Sequence, residues 1–159
     1  MSVEIEKKFL VTSDAWRQLG SPILYRQGYL LISKPKTIRI RTIGEIGYVT
    51  IKGAAQGISR LEFEYKIPID DANLLLEELC EKPIICKYRT KIKIKDLIWE
   101  VDEFLDDNKG LIVAEIELHN EDQRIEIPDW IGEEVSTDPK FNNSRLLTNP
   151  YSNWKTNKN

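Results

Sequence analysis

The chain has 159 residues, 41% hydrophobic and 31% charged, enough for one soluble domain with a real core and short for two. A net charge of −3 at pH 7 gives no bulk drive toward nucleic acid or an anionic membrane, so any anion site must be local. The single histidine, His119, excludes a multi-histidine zinc centre, and no apolar run approaches the roughly 20 residues of a transmembrane helix.

In chain order, Glu4-Ile5-Glu6-Lys7-Lys8-Phe9 alternates charged and apolar residues, the period-two pattern of a strand with one ionic face. Thr12-Ser13-Asp14 offers N-cap chemistry for a short helix to about Leu19, stopped by Gly20-Ser21-Pro22. Tyr25 to Ile32 has strand composition, with Gly28 placed for a bulge or kink. Charged strands follow at about 37–43 and 46–53, joined by Gly44-Glu45-Ile46-Gly47, and Gly53 to Gly57 is a small-residue loop. The next strand runs from Leu61 to Ile69, with Pro68 at its frayed end. Asp70 and Asp71 are placed to cap a helix over residues 72–80, whose Leu75, Leu76 and Leu79 form a packing stripe. Strands resume at about 84–95 and 97–105, Asp106 to Gly110 makes a turn, and Leu111 to Leu118 is the last long strand. Glu121 to Ile127 is predicted to be helical until Pro128.

The fold class is therefore mainly β (α+β), a single domain over residues 1–159. About eight antiparallel strands with ionic faces close best into a barrel, since closure removes exposed edges, with a few short helices outside. Charges on such strands either face water or line a wet tunnel. In a tunnel, the apolar alternates such as Ile38, Ile51, Phe63 and Val101 lie outside. The few helices cover only part of that surface, which leaves exposure or self-association into a homodimer. Cys80 and Cys86 read as reduced thiols of a cytoplasmic protein, and strand pattern from the start leaves no room for a signal peptide.

The charges are sorted by sign. Strands at 62–64, 100–102 and 115–117 present Glu62, Glu64, Glu100, Asp102, Glu115 and Glu117, joined by Glu4 and Glu6 of the first strand. Strands at 37–52 and 86–91 present Arg39, Arg41, Lys52, Lys87 and Arg89, joined by Lys8. A solvated face would mix the signs. Arginine forks and lysine point charges suit phosphate oxygens, whereas converging carboxylates repel unless hard cations such as Mg²⁺ or Mn²⁺ neutralise them. The pattern describes a site for a metal-chelated polyphosphate.

Glu4-Ile5-Glu6-Lys7-Lys8, with its Glu-x-Glu-x-Lys spacing, resembles the opening signature of the CYTH or triphosphate tunnel metalloenzyme family, short bacterial type. The likeness continues in order through Arg26-Gln27-Gly28-Tyr29-Leu30, Arg39-x-Arg41, Thr50-Ile51-Lys52, Arg60-Leu61-Glu62-Phe63-Glu64, Lys87-Tyr88-Arg89, Glu100-Val101-Asp102 and Glu115-Ile116-Glu117. It ends at Trp130-Ile131-Gly132 and Asp138-Pro139-Lys140-Phe141-Asn142-Asn143. The resemblance implies a tunnel that binds and hydrolyses a linear triphosphate, most plainly inorganic tripolyphosphate. By the same likeness, Arg39, Arg41, Lys52, Lys87 and Arg89 hold phosphate, and Glu4, Glu6, Glu115 and Glu117 bind Mg²⁺ or Mn²⁺. Glu62, Glu64 and Asp102 then serve a second ion or its water. Lys8 either orients that water or touches phosphate, and Arg60 either binds phosphate or orients Glu62. Phe141 and Asn142 depart from the family's Tyr and Lys, which leaves Lys140 to supply the charge there. The alternatives are a class IV-type adenylyl cyclase, a thiamine triphosphatase, and a non-catalytic polyphosphate- or nucleotide-binding module. None of these readings calls for nucleic acid or a membrane.

Overall fold

The computed structural model describes residues 3–33 and 36–154. Its strands are β1 (Val3–Val11), β2 (Pro22–Ser33), β3 (Lys36–Ile43), β4 (Ile46–Lys52), β5 (Ser59–Ile67), β6 (Ile85–Ile94), β7 (Leu97–Phe104), β8 (Ile112–Glu117) and β9 (Ile131–Glu134). The sheet order is β5-β4-β3-β2-β6-β7-β8-β1-β9, with a further β1–β5 pairing that closes β1 to β8 into a ring. Every pairing is antiparallel, so the eight-stranded barrel read from the alternation is present. Closure rests on Val3↔Leu61, Glu4↔Arg60 and Ile5↔Ser59. Farther along β1, Phe9↔Glu134 and Val11↔Ile131 bring in β9. That ninth strand carries no apolar–polar alternation, and sequence reading missed it.

Helices cover one part of the outer face. A short helix, Ile69–Leu74, continues as a π-helical turn, Leu75–Leu79. The predicted caps Asp70 and Asp71 lie inside it, and Pro68 takes the N-cap position with no side-chain cap. The predicted stripe is also corrected. The wider turn leaves Leu76 wholly buried, places Cys80 inside and turns Leu79 out to 67% exposure. A Cβ at Gly28 would lie 2.9 Å from the Cys80 Cβ, so glycine is what lets the helix rest on β2. The predicted irregularity in β2 falls just beyond it, as a register shift between Tyr29 and Leu31.

The segment 121–127 is irregular, contrary to the predicted helix. Local side-chain bonds compete with helix there: the His119 N–H donates to Gln123 Oε1 at 2.6 Å and the Asp122 N–H to Asn120 Oδ1 at 3.0 Å.

Two apolar clusters fix the barrel, the first on its outer face and the second on the same inner face as the charges. In one, Trp99 stacks edge-on against Phe9 and Trp130 at 5.5 and 5.9 Å. In the other, Tyr29, Phe104, Val135, Phe141 and Leu146 tie the C-terminal segment to the barrel wall. Cover is incomplete, as expected: Leu61, Phe63 and Tyr65 on β5 stand 54%, 38% and 58% exposed. Cys80 and Cys86 are free. Among the described residues no helix is long and apolar enough to cross a membrane.

Candidate active site

Antiparallel register brings the sorted charges face to face inside the ring. Lys8 lies opposite Glu115, Glu6 opposite Glu117, Glu100 opposite Glu115, Arg89 opposite Asp102, and Lys52 opposite Glu62. Such partners have Cβ atoms about 5 Å apart, close enough to interact directly. The result is a cavity of about 700 Å³.

Twelve of the fourteen residues singled out from sequence line it: Glu4, Glu6, Lys8, Arg39, Arg41, Lys52, Arg60, Glu62, Glu64, Arg89, Glu115 and Glu117. Lys87 and Asp102 do not. They are paired beneath its floor, 0% and 2% exposed. The Lys87 ammonium donates to Asp102 Oδ2 at 2.7 Å. Arg89 donates through Nε to Oδ1 at 2.7 Å and through Nη2 to Oδ2 at 2.8 Å. Arg89 Nη2 also reaches Glu115 Oε1 at 2.9 Å.

Burial opposes charge on Asp102, but Arg89 and Lys87 outweigh it and hold the carboxyl below its usual range. Burial pushes Lys87 down to about 8, against the pull of Asp102 and with Arg89 adding repulsion. Glu115 is buried too, yet Lys8, Arg89 and Lys87 hold it well below the ordinary carboxylate value. The Lys8 ammonium lies 3.5 Å from Glu115 and donates to the Phe141 carbonyl at 3.0 Å.

On the cationic wall, Arg41 Nη2 donates to Glu64 Oε1 at 3.0 Å, and the Thr50 hydroxyl donates to the same oxygen at 2.7 Å. Arg39 Nη2 donates to Thr50 Oγ1 at 3.3 Å. The Nε donors of both arginines are buried without a partner. Burial, Arg39 and Arg89 all disfavour the charge on Arg41 and lower its pKa. This wall has more donors than the protein's own acceptors satisfy, which suits an added anion.

The opposite wall is short of cations. Burial, Glu115 and Glu4 push Glu6 well up, and burial, Glu4 and Glu100 raise Glu117. Burial and Glu62 raise Glu4, while Lys52 at 3.1 Å opposes them. Crowded oxygen donors of this kind fit a hard divalent cation. Among the described residues no three carboxylates stand as a ready-made metal cage. Glu4, Glu62, Glu64 and Glu115 are turned to Lys52, Arg41, Lys8 and Arg89 instead.

Among the lining residues that sequence reading did not single out are two cations, Lys36 and Arg145. Arg145 sits in a 3₁₀ turn, Asn143–Leu147, with no strand pattern to announce its direction. Lys140 is a correction. Its ammonium rides over the Trp154 ring at 4.9 Å and is absent from the cavity wall, so it adds no charge there. Phe141 is buried edge-on to Trp154 at 5.1 Å and packs, while Asn142 lines the cavity. Lys66 and Lys93 are exposed, as solvated strand residues should be.

Comparison with known proteins agrees with this geometry. The sequence model of the CYTH domain matches residues 2–145. An inorganic triphosphatase of Acetivibrio thermocellus is 53% identical over 155 residues, covering 98% of this chain and 99% of the relative. An inorganic triphosphatase of Nitrosomonas europaea is 33% identical over 147 residues, covering 90% and 95%. A crystal structure of an inorganic triphosphatase superposes with a TM-score of 0.64 at 30% identity, covering 90% of this chain and 96% of that one. A putative adenylate cyclase from Bacillus halodurans gives 0.60 at 20% identity, covering 76% and 84%, a likeness of fold alone.

Proposed function

Since this chain belongs to the CYTH domain family, we propose that it is a metal-dependent inorganic triphosphatase. The observation that carries the reading is one cavity with a guanidinium wall facing a carboxylate wall, each crowded with its own sign. Full-length relatives that bear the name inorganic triphosphatase support the same conclusion.

Arg39, Arg41, Lys52 and Arg89 hold the phosphate oxygens, with Arg60 at the closing seam of the barrel. Glu4, Glu6, Glu115 and Glu117 would hold Mg²⁺ or Mn²⁺, with Glu62 and Glu64 placed to serve a second ion or its water. When bound, such an ion would supply charge neutralisation on the polyphosphate and a water of lowered pKa. Water then adds across one P–O–P bridge, and the protein's part is alignment and charge balance. Lys8, between Glu115 and the Phe141 carbonyl, is placed to orient the attacking water or a phosphate oxygen. Asp102 acts through Arg89, which it grips from behind, and Lys87 holds Asp102 in turn. The cyclase reading has only fold likeness behind it. A cytoplasmic location, and self-association on the exposed face of β5, complete the proposal.

The test is phosphate release from tripolyphosphate with Mg²⁺ or Mn²⁺, with excess chelator, and in Glu6→Gln and Glu117→Gln. Glutamine keeps size but loses the anionic ligand. Turnover should collapse in chelator and in both variants, while calorimetric binding of tripolyphosphate and the thermal melt are retained. Full turnover in both variants would sink the metal-dependent mechanism.

A further inference from the structure

The cavity wall carries nine lysines and arginines against seven glutamates. Six of those cations are committed: Lys8, Arg39, Arg41, Lys52, Arg89 and Lys91 each lie within 4 Å of a carboxylate. The other three are Lys36, Arg60 and Arg145. Among the described residues they make no ion pair and no side-chain hydrogen bond. Without them the wall would hold six cations against seven carboxylates, and its sign would be negative.

Lys36 and Arg145 also stand where an anion arrives first, while Arg60 is partly buried. Exposure of the cationic side chains rises from 8% at Arg89 and 9% at Arg39 through 18% at Lys52, and Lys36 and Arg145 are exposed outright. The three come from separate parts of the fold: the start of β3, the start of β5, and the turn after β9. Because the whole chain is negative, a polyanion meets net repulsion at long range, and only a local cationic mouth reverses it.

We propose that Lys36 and Arg145, which share the cavity wall with Arg60, form an outer capture station for linear phosphoanhydride anions. It sets the positive sign of the cavity and holds the phosphate group farthest from the Arg89 floor. The proposal rests on the triphosphatase reading above and adds a site to it. Arg145, on a segment outside the barrel, makes the C-terminal turn part of substrate recognition.

The experiment compares Arg145→Gln, Lys36→Gln and the double variant with Lys140→Gln. The last removes the same charge from the same segment but away from the cavity. Two quantities are read for each: tripolyphosphate affinity by calorimetry in chelator, and kcat and KM with Mg²⁺ at low and high ionic strength. The double variant should lose about tenfold or more in affinity and in kcat/KM at low salt, carried by KM, with a flatter salt dependence. Lys140→Gln should stay within about twofold of wild type, since a charge outside the station does not steer the ligand. A double variant indistinguishable from Lys140→Gln overturns the proposal. Wild type that binds tripolyphosphate without hydrolysing it overturns the triphosphatase reading, and the affinities still decide the capture station. Wild type that does not bind overturns both.

Discussion

The floor and the mouth of the cavity are both cationic, and they are built on opposite rules. At the floor, Lys87 and Arg89 are dry and locked onto Asp102 at 2.7 Å. At the mouth, Lys36 and Arg145 are exposed and paired with nothing among the described residues. Buried charges must be compensated within the protein, because nothing else solvates them. Exposed charges keep water as a partner and can exchange it for a ligand. At the floor Asp102 and Lys87 thus fix the geometry of Arg89, while the cations of the mouth have no protein partner among the described residues to give up.

The comparison breaks most sharply at Asp102. Asp102→Ala strands two buried cations, so the protein should lose about 3–5 kcal/mol of stability, the usual cost of removing one partner of a buried pair. A denaturant melt near the wild-type midpoint would show that the floor is not held by this carboxylate.

A smaller effect should appear in the pH dependence of the floor. Burial pushes Lys87 down to about 8 in the folded protein, from 10.5 when unperturbed. Between those values the unfolded chain binds more protons at this residue, so its contribution to stability rises with pH. Relative to Lys87→Met, wild type should gain up to about 1.4 kcal/mol per pH unit within the window. Parallel stability curves for the two proteins from pH 8 to 10.5 would contradict a dry, crowded ammonium.

The mouth should be nearly silent by the same measure. Lys36→Gln should shift the melt by no more than about 0.5 kcal/mol, as exposed substitutions away from packing usually do. A clear loss would mean that Lys36 carries a structural contact, and the contrast with the floor would soften.

Much of this was legible without coordinates. Period-two alternation fixes which residues share a face, and sign sorting among Glu62, Glu64, Arg39 and Arg41 makes sense only if that face is shared with a ligand. The family likeness then supplied the ordered motif pieces and the hydrolytic reading. Where the backbone leaves the strand period, sequence reasoning lost its footing. The π turn rotated Leu79 out of its predicted stripe, and local Asn and Gln bonds replaced the helix predicted at 121–127.

What the chain determined alone was the alternation, the charge sorting and the closed β architecture, because these follow from local periodicity and the need to pair every edge. Only the tertiary structure decided depth. Lys87 and Arg89 are two residues apart on one strand face, yet one is sealed beneath the floor and the other lines the cavity. Arg145 and Lys140 are five apart on one segment, yet one faces the cavity and the other rides on Trp154. Period two says which way a side chain points. How far it sits from water depends on what the rest of the chain packs around it.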